Sequence, residues 1–245
     1  MNYVICPIIH GVQLKEINDD FAKKFVDGIK SYLTDSEKNY FIPLAYNWSH
    51  TTNPRQLEMY HKVESGLRHQ KLRKLKHTAG SDVTWTFRSK KGSGSFYDDF
   101  VFTLDSLLDS SKKSYAKSKI MLIGHSQGSQ LAFNYIWDTN YHVQGLAFMG
   151  SPFTMNSGAF DDWGDIPKGL DGFWLNFYNR RDFISSKIQD CHPRESIAKT
   201  VEDYEVPLGW NPLNWTIAGS HTLYWKSDFV HQMIADRIRK LIKTK

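Results

Sequence analysis

The sequence predicts an α/β fold, a three-layer α/β/α sandwich around a mostly parallel central sheet, and three observations carry that expectation. The chain opens on the apolar run Tyr3 to Ile9, which reads as a core strand. A second run, Ile120 to Ile123, passes without a linker into Gly124-His125-Ser126-Gln127-Gly128, the glycine pattern of a sharp strand-to-helix corner. Between and after these runs, apolar residues recur at helical spacing, so strands and helices alternate.

Taken in order, Tyr3 to Ile9 is followed by an apolar helical stripe of Ile17, Phe21, Phe25, Ile29 and Leu33, and then by a strand near Tyr40 to Tyr46. Pro54 opens a helix toward Lys76, Val83 to Phe87 is a short strand-like run, and Phe100, Val101, Leu104, Leu107 and Leu108 mark a helix ahead of Ile120. Beyond the corner, Ser129 to Asp138 reads as a buried helix, because Leu131, Ala132, Phe133, Tyr135 and Ile136 leave it little polar surface. Val143 to Met149 and Gly172 to Tyr178 are further strands. Phe229, Val230, Met233, Ile234, Ile238, Leu241 and Ile242 close the chain as an amphipathic helix. Segments 151–171 and 186–213 lack periodicity and are expected to be irregular cover over a site. At 245 residues, 40% of them hydrophobic and 14% aromatic, the chain suits a single domain, 1–245, with one substantial core and no repeat. Pro7 conflicts with a central position for the first strand, since it removes a ladder donor.

The G-x-S-x-G corner is a device for presenting a nucleophile. Its glycines leave room for neighbouring backbone while the side chain of Ser126 is lifted out of the sheet. From Tyr3 to the C-terminal helix the chain resembles the serine esterase and lipase branch of the α/β-hydrolase superfamily. That resemblance implies a Ser, an acid and a His in this chain order. Asp182, in the polar turn Asn179-Arg180-Arg181-Asp182 after the strand Gly172 to Tyr178, stands where the family places its acid. His221, in the small polar loop Ala218 to Thr222 before the terminal helix, stands where it places its base. The resemblance also implies a reduced core, because the antiparallel hairpin that often precedes the superfamily's third strand is missing ahead of Tyr3.

Each residue type answers a chemical need. A serine hydroxyl is a poor nucleophile at neutral pH, so an imidazole must take its proton and return it to the leaving group. A carboxylate then fixes the imidazole tautomer and stabilises the imidazolium. His10-Gly11-Val12-Gln13 resembles the family's H-G turn, and the expected oxyanion donors are the backbone amides of Gln127 and Val12, with Gly11 as the alternative to Val12. The other histidines are weaker bases for this role: His125 sits on the turn beside Ser126, His192 follows Asp182 before any further strand, and His231 lies in the last helix. Among the aromatic residues, Trp48, Phe153 and Trp163 are expected to line the substrate pocket.

The remaining features mostly exclude. A net charge of +5 and a pI near 9.0 favour anionic surroundings only weakly. The basic cluster from Arg68 to Lys76 reads first as a solvated helix end, so no nucleic-acid partner is expected, although weak membrane-surface contact is compatible with it. No metal-ligand cluster or phosphate-binding glycine loop is present, and no cofactor is expected; Lys91 to Ser95 lacks the P-loop's Lys and Ser/Thr placement. Cys6 and Cys191 form no disulfide framework and suggest reduced thiols. The first residues lack a basic region and a cleavage site, and no apolar run approaches ~20 residues, so a cytoplasmic protein without a transmembrane segment is expected. The leading functional expectation is hydrolysis of small carboxylic esters through an acyl-enzyme. The same residues would also serve an acyltransferase, thioesterase or amidase, and the scaffold alone would serve a non-catalytic binding protein.

Overall fold

The computed structural model describes residues 1–11, 22–46, 48, 96–139, 141–153, 166–191, 195–207 and 217–244. Val12, Ile17, Phe21, Trp163, the helix expected from Pro54, the basic cluster and the run Val83 to Phe87 lie outside them. The described elements are β1 (Tyr3–Ile9), α1 (Lys23–Ser31), α2 (Asp35–Lys38), β2 (Phe41–Tyr46), α3 (Phe96–Ser114), β3 (Ser118–His125), α4 (Gln127–Asp138), β4 (Val143–Met149) and β5 (Leu170–Tyr178). They continue with α5 (Ile188–Cys191), α6 (Glu195–Thr200), β6 (Val201–Glu205), α7 (Ile217–Thr222), a 3₁₀ turn (Leu223–Lys226) and α8 (Asp228–Lys243).

The six strands form one sheet in the order β2-β1-β3-β4-β5-β6, and every pairing among them is parallel. Parallel strands need crossovers, so helices cover both faces. Successive strand side chains point to opposite faces, and the core divides accordingly. Ile5, Ile9, Ile120, Leu122, Leu146, Phe148 and Trp174 meet Tyr97, Phe100, Leu104 and Leu108 of α3 and Leu131, Phe133 and Tyr135 of α4. Val4, Cys6, Ile8, Met121, Ile123, Ala147, Leu175 and Phe177 meet Phe25 and Ile29 of α1 and Val230, Ile234, Ile238 and Ile242 of α8. The result is the three-layer sandwich read from the sequence.

Pro7 finds a local solution. Pairing of β1 with β2 runs without a break from Val4 to Ile9, whereas pairing with β3 skips Cys6 and Pro7 and resumes at Ile8↔Ile123. The missing donor therefore costs one interruption in one ladder, and the strand stays central. The thiol of Cys6 lies on this strand wholly inside the core, where burial pushes its pKa up.

The sequence reading errs in the second half of the chain. Segment 186–213 is not irregular throughout: it contains α5, α6 and β6, the last paired with β5 from Trp174↔Val201 to Tyr178↔Glu205. Val-Glu-Asp-Tyr-Glu is too polar to announce itself as a buried strand, and it lies at the edge of the described sheet, where charge is tolerated. Asp203 of β6 accepts the Ile188 and Gln189 amides at 3.0 Å each, holding the start of α5.

α8 is fastened at both ends. Its N-cap Ser227 accepts the Val230 amide at 3.4 Å, and Asp228 stands in its first turn. Toward its C-terminus, Arg239 Nε and Lys243 Nζ reach Glu37 at 3.1 and 3.3 Å, while Glu37 also closes the capping box of α2 with Thr34.

Candidate active site

Three loci meet at the C-terminal ends of β3, β4 and β5. At the first, β3 runs into Ser126 and straight on into α4. Ser126 holds φ 53° and ψ −127°, a conformation L-residues seldom adopt, and only it and Lys117 are non-glycine residues with positive φ among the described residues. The elbow exists because its flanks are glycines. A Cβ on Gly124 would stand 2.5 Å from Ser129 Cα, and one on Gly128 would collide with the carbonyls of Ile9 and His10. The Ser126 amide donates to Met149 O at 2.8 Å, pinning the elbow to the end of β4, and Ser126 keeps partial exposure while both its neighbours are buried.

At the second locus, β5 ends in a turn built by Asn179. Its Oδ1 accepts the Arg181 amide at 2.8 Å and its Nδ2 donates to Val206 O, which brings Asp182 back under the sheet end. The Asp182 carboxylate is fully buried and well satisfied. Oδ1 accepts the Ile184 amide at 3.1 Å, and Oδ2 lies 2.8 Å from Tyr224 Oη, 2.9 Å from Ser185 Oγ and 2.9 Å from His221 Nδ1. Burial pushes this carboxyl up, but hydrogen bonds from His221, Tyr224 and Ile184 outweigh it and hold the group below the ordinary carboxylate range. Asp182 is thus an ionised acceptor, so Nδ1 of His221 is the donor facing it, and in the neutral imidazole Nε2 is the nitrogen without a proton.

The third locus corrects the sequence reading. Ala218 to Thr222 is not a loop; it lies within the short helix α7, which flows into the 3₁₀ turn carrying Tyr224. Ser220 Oγ donates to Arg181 O at 3.1 Å, so the acid and base segments are joined by this side-chain-to-backbone bond as well as by the Asp182–His221 pair. Gly150, at φ 60°, passes so close that a Cβ there would lie 2.8 Å from the Tyr224 ring, 3.1 Å from His221 Cε1 and 3.2 Å from Asp182 Oδ2. Since Ser126 is bonded to Met149, one residue away, the elbow and the Asp182–His221 pair flank the same point of the chain.

The N-terminal turn approaches from the other side. A Cβ on Gly11 would lie 2.5 Å from Ser126 Cβ and 3.1 Å from Oγ, so the backbone of this turn packs on the nucleophile candidate. His10 is buried, donates Nδ1–H to Gly11 O, and stacks at 5.2 Å on Trp48, whose Nε1 donates to His10 O at 2.7 Å. Gln127 is buried in the first turn of α4, at the end where amides lack intrahelical partners and the dipole favours an anion.

Two of the residues expected to line a pocket are buried. Trp48 is only 2% exposed and is spent on holding His10, and Phe153 is fully buried among Phe133, Phe148 and Trp174. A large ring next to a sheet end covers core before it covers solvent. The sequence reading missed His125, Ser185, Tyr224 and Gly150. Only Tyr224, three residues after His221, offered a signal, since that spacing places both on one side of a helical turn.

The fold is a three-layer α/β/α sandwich around one parallel sheet. No family model matches the chain, and no curated protein matches it. Among solved structures the chain is similar to two of the Pyrococcus furiosus esterase Pf2001, in space groups P21 and C2221. Identities are 13% and 15%, the alignments cover 99% of this chain and 82% and 80% of those chains, and the TM-score is 0.49 for each. Among the described residues no group of side chains suits a metal ion, and no helix is long and apolar enough to cross a membrane.

Proposed function

We propose that this protein is a serine hydrolase that cleaves small carboxylic esters through an acyl-enzyme, with Ser126 as nucleophile, His221 as general base and Asp182 as its carboxylate partner. The observation that carries the reading is the Asp182–His221 pair, set beside a serine held at positive φ between two glycines that nothing larger can replace. In the first half-reaction His221 Nε2 takes the Ser126 proton as Oγ bonds to the ester carbonyl carbon; the carbonyl becomes an oxyanion. His221 then gives that proton to the alkoxide as the C–O bond breaks, leaving the acyl group on Ser126. Water repeats the sequence and frees the acid. The buried, ionised Asp182 offsets the imidazolium at each stage. The Gln127 amide, with that of Val12 or Gly11, would receive the oxyanion, each donor contributing about 3 kcal/mol to the transition state.

Short to medium acyl chains are the expected substrates, because no dedicated cap domain fits between the nucleophile strand and Asp182. The deciding experiment is a panel of p-nitrophenyl esters of increasing acyl length, run with Ser126→Ala and with a fluorophosphonate probe. Wild type is expected to turn over the shorter esters and to take the label, and Ser126→Ala to do neither. Full labelling of Ser126→Ala would remove this serine from the role, and a kcat/KM maximum at twelve carbons or more would overturn the chain-length reading. Adding competing alcohol or thiol acceptors to the same assay separates hydrolysis from acyl transfer.

A further inference from the structure

His125 has no part in the chemistry above, yet it is buried at the centre of the site, and its contacts are those of a brace. Its Nε2 lies 2.8 Å from the backbone carbonyl of His221. A carbonyl only accepts, so Nε2 carries the hydrogen and neutral His125 is the Nε2–H tautomer. Its ring packs against the rings of His221, Trp225 and Tyr224 at centroid distances of 4.9, 5.1 and 6.1 Å. In sequence it is bonded to Ser126, and in the sheet it is paired with Met149, the residue that accepts the Ser126 amide.

We infer that His125 is a positioning residue, which fixes the main chain of His221 relative to the Ser126 elbow by donating Nε2–H to the His221 carbonyl. The inference rests on the reading of Ser126, His221 and Asp182 as the catalytic set. Asp182 holds only the imidazole ring of His221, through Nδ1. A ring held at one nitrogen still swings when its backbone shifts, and α7, which carries it, is a helix of six residues. Ser220 anchors the neighbouring position to the acid turn, and the bond from His125 holds the main chain of His221 itself, from the residue next to the nucleophile. Movement of the elbow and movement of the base are thereby tied together.

The choice of residue follows from charge. His221 becomes an imidazolium twice per turnover, and a cationic donor at position 125 would oppose it at ring-contact distance. Burial, then the proximity of His221, holds the His125 pKa down to about 3 even though the His221 carbonyl and Asp182 pull it upward; His10 adds to the depression. The imidazole therefore donates a hydrogen bond without bringing a charge, which neither lysine nor arginine would do.

The test compares His125→Phe, which keeps a ring but no donor, with His125→Gln, which places an amide N–H near the position of Nε2. On the best ester of the panel, His125→Phe is expected to lose about 100-fold in kcat with KM within about twofold, the size of effect that misplacing a catalytic group by ~1 Å produces. His125→Gln should recover most of that loss. Equal kcat for the two variants would overturn the inference while leaving the hydrolase reading intact. A wild type that neither turns over any ester nor takes the label would overturn the hydrolase reading, and this inference with it. Should His125→Phe fail to fold, imidazole ¹⁵N shifts of the wild type decide. The Nε2–H tautomer is expected to persist from about pH 8 to about pH 5, and a proton on Nδ1 in that range would sink the proposal.

Discussion

At the scale of single residues, Asp182 combines burial with more hydrogen bonds than a lone turn aspartate would attract. Asp182→Asn keeps the shape but presents an amide to His221, so the wrong tautomer is stabilised. A loss of about 10⁴ in kcat, with slow residual fluorophosphonate labelling and a near-native circular dichroism spectrum, is the expected outcome. Phe153→Ala addresses the opposite kind of residue. Removing a fully buried ring from contact with Phe133, Phe148 and Trp174 should lower stability by about 3–5 kcal/mol in a denaturant titration and leave KM within twofold. A large KM change at unchanged stability would show that Phe153 lines the substrate pocket. Ser126 was legible in the sequence because its neighbours are: two glycines at fixed spacing after an apolar run are a local signal. The partners of Asp182 were less so: Ser185 bonds it from three residues along the same turn, and Tyr224 reaches it across the fold, its spacing from His221 being a faint signal that names no partner.

Among the elements, the strands and long helices were legible where their apolar residues are dense, and β4 follows the expected bounds Val143–Met149. The misreadings are the elements with little buried surface of their own. β6 presents mostly polar side chains, and α7 is a short helical turn of small residues that propensity alone leaves undecided. Both are organised by tertiary contacts, β6 by its ladder with β5 and α7 by Ser220 and His125. The coupling between α2 and α8 is likewise a tertiary arrangement centred on one side chain. Glu37→Ala removes the capping-box acceptor and the partner of Arg239 and Lys243 together, and should cost about 1–3 kcal/mol in thermal unfolding without changing kcat on any ester. Gly150→Ala should act on stability and turnover at once, since the added methyl meets both Tyr224 and His221 at a backbone conformation it disfavours.

For the whole molecule, four buried ionisable groups lean the same way with pH. The folded-state pKa values of His125 and His231 lie below the ordinary 6.5, chiefly because burial penalises the charged form. As pH falls through that value the unfolded chain gains protons the folded chain refuses, and stability drops. Asp182 and Glu37 are held below their ordinary 3.8 and 4.5 by hydrogen-bonding and ionic partners that outweigh burial. Their contributions are present above those values and disappear as pH falls further. The melting temperature should therefore fall steadily from about pH 7 to about pH 4, measurable by circular dichroism in matched ionic strength; a maximum below pH 6 would contradict the buried, neutral state of the two histidines. Cys6 supplies an independent gauge of the same transition. Its sulfur is sealed on a central strand against α1 and α8 and has no thiolate character there, so an alkylating reagent can reach it only when the layers part. With Cys191 replaced by serine, the rate at which iodoacetamide consumes the remaining thiol becomes a clock for global opening, one the chain carries without any added label.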